Sequence, residues 1–163
     1  MKNWIQQNKI TNIECIVPDL AGAARGKVVP ASKLIEGAEL RLPQSIFFQG
    51  VNGHYPNLTK EKLPCDDDML LQPDTTTIRH LPWAETPTAQ IIHDCVDKAG
   101  KEITFSPRYV LRKVLDLYQA EGWKPVIAPE LEFYLVAANP DPTQPLTAPF
   151  DRTGRTEKEG QSY

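Results

Sequence analysis

Two glutamates one residue apart, Glu130 and Glu132, interrupt the apolar run VIAPELEFYLV at residues 126–136. If this run is a strand, Val126, Ala128, Glu130, Glu132, Tyr134 and Val136 share one face, and Ile127, Pro129, Leu131, Phe133 and Leu135 share the other. Each residue of a strand advances roughly 3.3 Å, which separates the two carboxylates by roughly 6 to 7 Å along it. Each acid could then hold one ion of a neighbouring pair. Hard cations such as Mg²⁺ or Mn²⁺ prefer carboxylate oxygens, and phosphoryl transfer needs such ions to neutralise charge on the transferred group. The solvated face of an amphipathic strand would show the same alternation, and spacing alone leaves both readings open.

Other polar groups carry less information. In the segment FQGVNG, Asn52 either hydrogen-bonds a substrate amine or serves as the turn residue before Gly53, and Gln49 is equally open. His54 reads as an acceptor-side group or an exposed loop histidine. Asp66, Asp67 and Asp68 read as a solvated loop run. His93 and Cys95 share a strand face, but two ligands without a third or fourth are packing residues, so zinc is set aside. Trp83 reads as an anchor at a strand edge.

The elements that would position these groups follow from periodicity. Residues 10–17 alternate, residues 19–22 turn, and ARGKVV follows, which predicts an opening hairpin. A short helix after Pro30 is expected to end at Gly37, and LPQSIFF at 42–48 is expected to be extended. DMLLQPD and TAQIIHDCVD read as further strands among punctuating prolines. At Ser106 the pattern changes. Ser106 suits an N-cap, Pro107 the first helical position, and Val110, Leu111, Val114, Leu115, Leu117 and Tyr118 recur at helical spacing until Gly122. From Lys124 to Val136 the period becomes two, predicting a strand, and residues 139–163 form a Pro-rich and charged loop. The organisation expected is α+β: a mainly sheet domain over 1–105, then the start of an α/β domain over 106–163 that is incomplete.

Composition removes several function classes. With 18 Lys and Arg against 21 Asp and Glu, the net charge of -3 offers no footprint for nucleic acid or an anionic membrane. Three widely spaced cysteines make no disulfide framework, and no stretch approaches the ~20 apolar residues of a membrane span. A soluble, cytoplasmic protein is expected.

The segment APELEFYL resembles the metal-binding strand of the glutamine synthetase family, in which two glutamates one residue apart precede an aromatic run. In the family's order, PDLAGAARGK resembles its N-terminal hairpin, and LPQSIFFQGVNG resembles the loop that reaches a neighbouring subunit's active site. DMLLQPD resembles the next strand and SPRYVLRKVL the first helix of the catalytic domain. The resemblance implies an N-terminal β-grasp-like domain followed by the first helix and strand of an incomplete catalytic domain. It also implies ring-shaped homo-oligomers, with Mg²⁺ or Mn²⁺ held by Glu130 and Glu132 and with ATP as co-substrate. The implied reaction activates the side-chain carboxylate of glutamate as γ-glutamyl phosphate, which an amine attacks. Tyr163 matches a tyrosine placed near the family's glutamate site.

Ammonia-using members carry an aspartate in the loop after the aromatic residues, whereas here Phe48 to Gly53 contains no carboxylate. That loop, ARGK and GQSY resemble the γ-glutamylpolyamine synthetases and related ligases that join glutamate to a polyamine or alkyl amine. The alternatives are a glutamine synthetase using ammonia and a non-catalytic structural or regulatory relative. The chain is expected to be the front portion of a longer ligase and inactive alone.

Overall fold

A computed structural model describes residues 1–55 and 67–156. Tyr163 and Asp66, singled out above, and Cys65, one of the three cysteines, lie outside the described residues. Two compact units are present, Met1–Lys124 and Pro125–Tyr163.

The first unit is a mixed six-stranded sheet with few helices. Its strands are β1 (Asn12–Pro18), β2 (Ala24–Pro30), β3 (Arg41–Pro43), β4 (Asp68–Pro73), β5 (Arg79–His80) and β6 (Thr88–Val96). They lie in the order β2-β1-β6-β4-β3, with β5 also on β6. The helices are α1 (Lys2–Gln7), α2 (Ala31–Ile35) and α3 (Pro107–Ala120). Among the described residues, no helix is long and apolar enough to cross a membrane.

The expected hairpin is present as β1 and β2, antiparallel from Asn12 opposite Pro30 to Pro18 opposite Ala24. β1 also runs parallel to β6, with Asn12 opposite Thr88 and Ile16 opposite Ile92. Alternation explains the core, because Ile13, Cys15 and Val17 of β1 and Ala89, Ile91, His93 and Cys95 of β6 are buried. Met69 and Leu71 of β4, Ile5 of α1 and Leu34 of α2 pack with them. Residues between those positions, including Glu14, Gln90 and Asp94, belong to the opposite, half-buried face.

β4 and β5 follow one edge of β6 with an excursion between them. Pro73 pairs with His93 and Arg79 with Gln90, so residues 74–78 oppose only 91 and 92. The excess folds into a 3₁₀ turn, Thr75–Thr77, in which the Asp74 side chain accepts from the Thr76 amide at 3.1 Å. Both backbone groups of Ile92 are satisfied there: its amide donates to Thr77 Oγ1 at 2.9 Å, and its carbonyl accepts from the Asp74 amide at 2.9 Å.

Two expectations are corrected. Of the segment 42–48, only Leu42 and Pro43, the end of β3, are strand, and Gln44–Phe48 is a 3₁₀ helix. Ile46 and Phe47 are consecutive and both buried, which a two-residue period cannot achieve. Phe47 and Phe48 both meet the Phe105 ring, with centroids 5.6 and 5.4 Å away. The second correction concerns residues 124–136, which belong to no ladder. A strand needs a neighbour for its N–H and C=O groups, and the described part of the second unit contains only one isolated bridge, Phe150 to Thr156. Val126 and Leu131 are accordingly 94% and 91% exposed. The Pro-rich loop that follows is shaped by local turns, with Asp141 and Asp151 accepting from the Thr143 and Thr153 amides at 2.9 and 2.7 Å.

Helix α3 begins after Ser106 and stops before Gly122, whose φ of +71 is a left-handed value. Ser106 occupies the N-cap position, but its side chain makes no capping bond and is buried.

Candidate functional site

The β1–β2 turn and the segment after the 3₁₀ helix converge on a cavity of about 520 Å³, open to solvent. Leu20 and Ala21 come from the turn, and Phe47, Phe48, Gln49, Gly50, Asn52, His54 and Tyr55 form the remaining lining. Gln49 and Asn52, candidates from sequence, are therefore brought together. Among the described residues, no acidic side chain lines this cavity.

Its loop wall is a closed turn. The Gly50 amide donates to the His54 carbonyl at 2.9 Å, and the Gly53 amide donates to the Gly50 carbonyl at 2.9 Å. Asn52 Oδ1 accepts from the His54 amide at 3.1 Å, an Asx turn, and Gly53 has φ +79. The turn role of Asn52 is thus realised through its oxygen, while its NH₂ group has no part in that turn. Tyr55 Oη lies 3.3 Å from Ser45 Oγ.

The turn wall is ordered by Asp19, whose side chain is fully buried. Its Oδ1 accepts from the Ala21 and Ala23 amides at 2.9 and 2.8 Å, and its Oδ2 accepts from Arg25 Nε at 2.7 Å. Arg25 Nη2 then donates to the Gly50 carbonyl at 2.9 Å. Sequence reasoning missed this connection. The only signal was an aspartate opening a turn with an arginine six residues on.

Glu130 and Glu132 are both exposed and stand on the unpaired segment of the second unit. Their oxygens are the donor type that Mg²⁺ or Mn²⁺ prefers, but such ions take about six oxygen ligands. Among the described residues, no group of three or more His, Cys, Asp or Glu is placed to hold a metal ion. The two carboxylates therefore fit a cation in kind and fall short of a complete site in number.

His93 and Cys95 are packing residues. His93 Nδ1 lies 3.2 Å from the Ile91 carbonyl, and burial holds the imidazole below its ordinary pKa. Burial also pushes the thiols of Cys15 and Cys95 up to about 11 and about 12, which leaves them unreactive. Trp83 is 76% exposed, so it anchors nothing within the described chain.

Residues 104–163 match the family model for the glutamine synthetase catalytic domain. The chain is 28% identical over 152 residues to a glutamate–isopropylamine ligase of Pseudomonas sp, covering 83% of this chain and 30% of that protein. It is 31% identical over 133 residues to a glutamine synthetase of Halobacterium salinarum, covering 80% of this chain and 27% of that protein. The chain thus spans less than a third of either relative. A solved structure described as a GmaS/ADP complex shares the fold at TM-score 0.58 and 21% identity, over 74% of this chain and 25% of that one.

Proposed function

Because the chain belongs to the glutamine synthetase family, we propose that it forms the front portion of an ATP-dependent ligase that joins the γ-carboxylate of glutamate to an alkyl amine or polyamine. The observation that carries this reading is the position of Glu130 and Glu132 inside the segment matched to the catalytic domain. On this reading residues 1–105 are a β-grasp-like domain and residues 106–163 open the catalytic domain. The complete cytoplasmic enzyme is a ring-forming oligomer, and this portion is inactive alone.

Carboxylate is a poor electrophile, and phosphorylation by ATP converts the side chain of glutamate into γ-glutamyl phosphate. Glu130 and Glu132 supply oxygens toward Mg²⁺ or Mn²⁺, whose chemistry when bound is neutralisation of phosphoryl charge. Further ligands would come from elsewhere in the enzyme. Tyr163 is assigned to the glutamate side. The cavity bounded by Gln49, Asn52 and Phe48 takes the amine, which then displaces phosphate from the acyl carbon. Its apolar walls suit an alkyl group. A site for ammonium would need a local negative charge, and among the described residues the lining supplies none.

In the whole enzyme, Glu130→Ala or Glu132→Ala is expected to abolish ATP-dependent hydroxamate formation while assembly persists. Turnover like that of the wild type in either variant would contradict the metal assignment. ADP release compared among ammonia, monoamines and polyamines at equal concentration tests the acceptor. A preference for ammonia would instead favour the glutamine synthetase reading, which the Halobacterium relative supports by name.

A further inference from the structure

The two walls of the cavity are separate stretches of chain, the turn at 19–23 and the loop at 50–54, joined through one side chain. Arg25 spends its Nε on the buried Asp19 carboxylate at 2.7 Å and its Nη2 on the Gly50 carbonyl at 2.9 Å. Asp19 is itself locked by the Ala21 and Ala23 amides. The Gly50 carbonyl accepts from the Gly53 amide as well, so both of its lone pairs are engaged. A guanidinium can make these two bonds at once because its donors diverge from a rigid plane, whereas an ammonium is a single point of donation. We propose that Arg25 is a positioning residue: it clamps the Gly50–His54 loop to the hairpin and thereby fixes how Gln49 and Asn52 face an amine. The clamp stands on geometry, and its consequence for the amine rests on the function proposed above.

The test uses Arg25→Lys and Arg25→Gln in the whole enzyme, reading steady-state kinetics together with hydrogen exchange. Loss of one charge-assisted hydrogen bond is expected to accelerate exchange at the Gly50 and Gly53 amides about tenfold and raise the amine KM about tenfold. The KM for ATP, kcat and protection in β1 and β6 should stay within about twofold, and Lys should not rescue. If both variants fail to fold, Asp19→Asn carries the test. It keeps an oxygen for the two amides but removes the charge that holds Arg25, and it should move the same readouts by about threefold. Unchanged exchange at 50–54 would overturn the clamp. A general loss of protection, with all kinetic constants shifted together, would also overturn it, because that describes a merely structural arginine. Faster loop exchange with an unmoved amine KM would overturn the acceptor assignment of the cavity and, with it, the positioning role.

Discussion

Arg108, in the first turn of α3, reaches back to Asp94 on the central strand β6, with Nε 2.9 Å from Oδ1, and its Nη2 meets Asp74 Oδ2 at 2.5 Å. Arg112, one turn later, pairs with the other oxygen of Asp94. These carboxylates lie on different elements, β6 and the 3₁₀ excursion between β4 and β5. No residue of α3 is buried, so ion pairs tie the helix to the sheet and its apolar stripe remains exposed. The stripe includes Leu111 at 51% and Leu117 at 68% exposure.

Arg108→Ala is expected to leave Asp74 and Asp94 without their shared cation. The loss should be about 1–3 kcal/mol, the usual range for hydrogen bonds to charged groups, reduced by the partial exposure of the site. Urea denaturation of this chain measures it, and exchange of the α3 amides shows whether the helix detaches first. Arg108→Lys should recover only part, since it cannot serve both aspartates through a fork. Full stability in Arg108→Ala would mean that α3 is held some other way.

Local periodicity made the sheet legible. The alternation in β1 matched its buried residues, His93 and Cys95 of β6 share the face expected of them, and Ser106, Pro107 and Gly122 bounded α3 to within a residue. The 3₁₀ helix at Gln44–Phe48 was not legible, because Phe47 and Phe48 both pack on Phe105, far along the chain. Nor was β5, a two-residue strand that exists only because β6 continues past β4. At 124–136 the alternation is present, yet alternation states a preference, and a strand also requires a partner for its backbone. In the candidate site, Gln49 and Asn52 were found from their loop. Arg25 was missed because its partners, Asp19 and Gly50, belong to different turns.

Gly26 tests the hairpin itself. It stands opposite Ile16, and a Cβ there would fall 2.0 Å from the Cys15 carbonyl oxygen and 3.1 Å from Ile16 Cα. Both are backbone atoms of the neighbouring strand and cannot rotate away, so Gly26→Ala must push β2 off β1. The expected cost is about 1–3 kcal/mol, the range for overpacking, or several degrees in Tm for a domain of this size. Thermal unfolding by circular dichroism measures it. Because β2 carries Arg25, the Gly50–His54 loop should loosen in the same variant. An unchanged Tm would show that the two backbones are not this close.

His93 should make the fold acid-sensitive. It is 1% exposed on the core face of β6. Its Nδ1 faces the Ile91 carbonyl, so Nδ1 carries the proton of the neutral ring, and Nε2 has no partner among the described residues. Burial lowers its pKa, opposed in part by the Ile91 carbonyl and by the charge of Asp94. The unfolded imidazole takes up a proton near pH 6.5, while the folded one resists until lower pH. Between those values the unfolded state binds more protons, so stability falls as pH drops below about 6.5 and is flat for this group above it. Between pH 7 and 5, wild type is therefore expected to lose more stability than His93→Phe, as read by urea denaturation at each pH. Carboxylate titration below pH 5 affects both proteins and cancels in the comparison. Identical pH slopes for the two would mean that His93 gains a proton as readily in the folded chain as in the unfolded one.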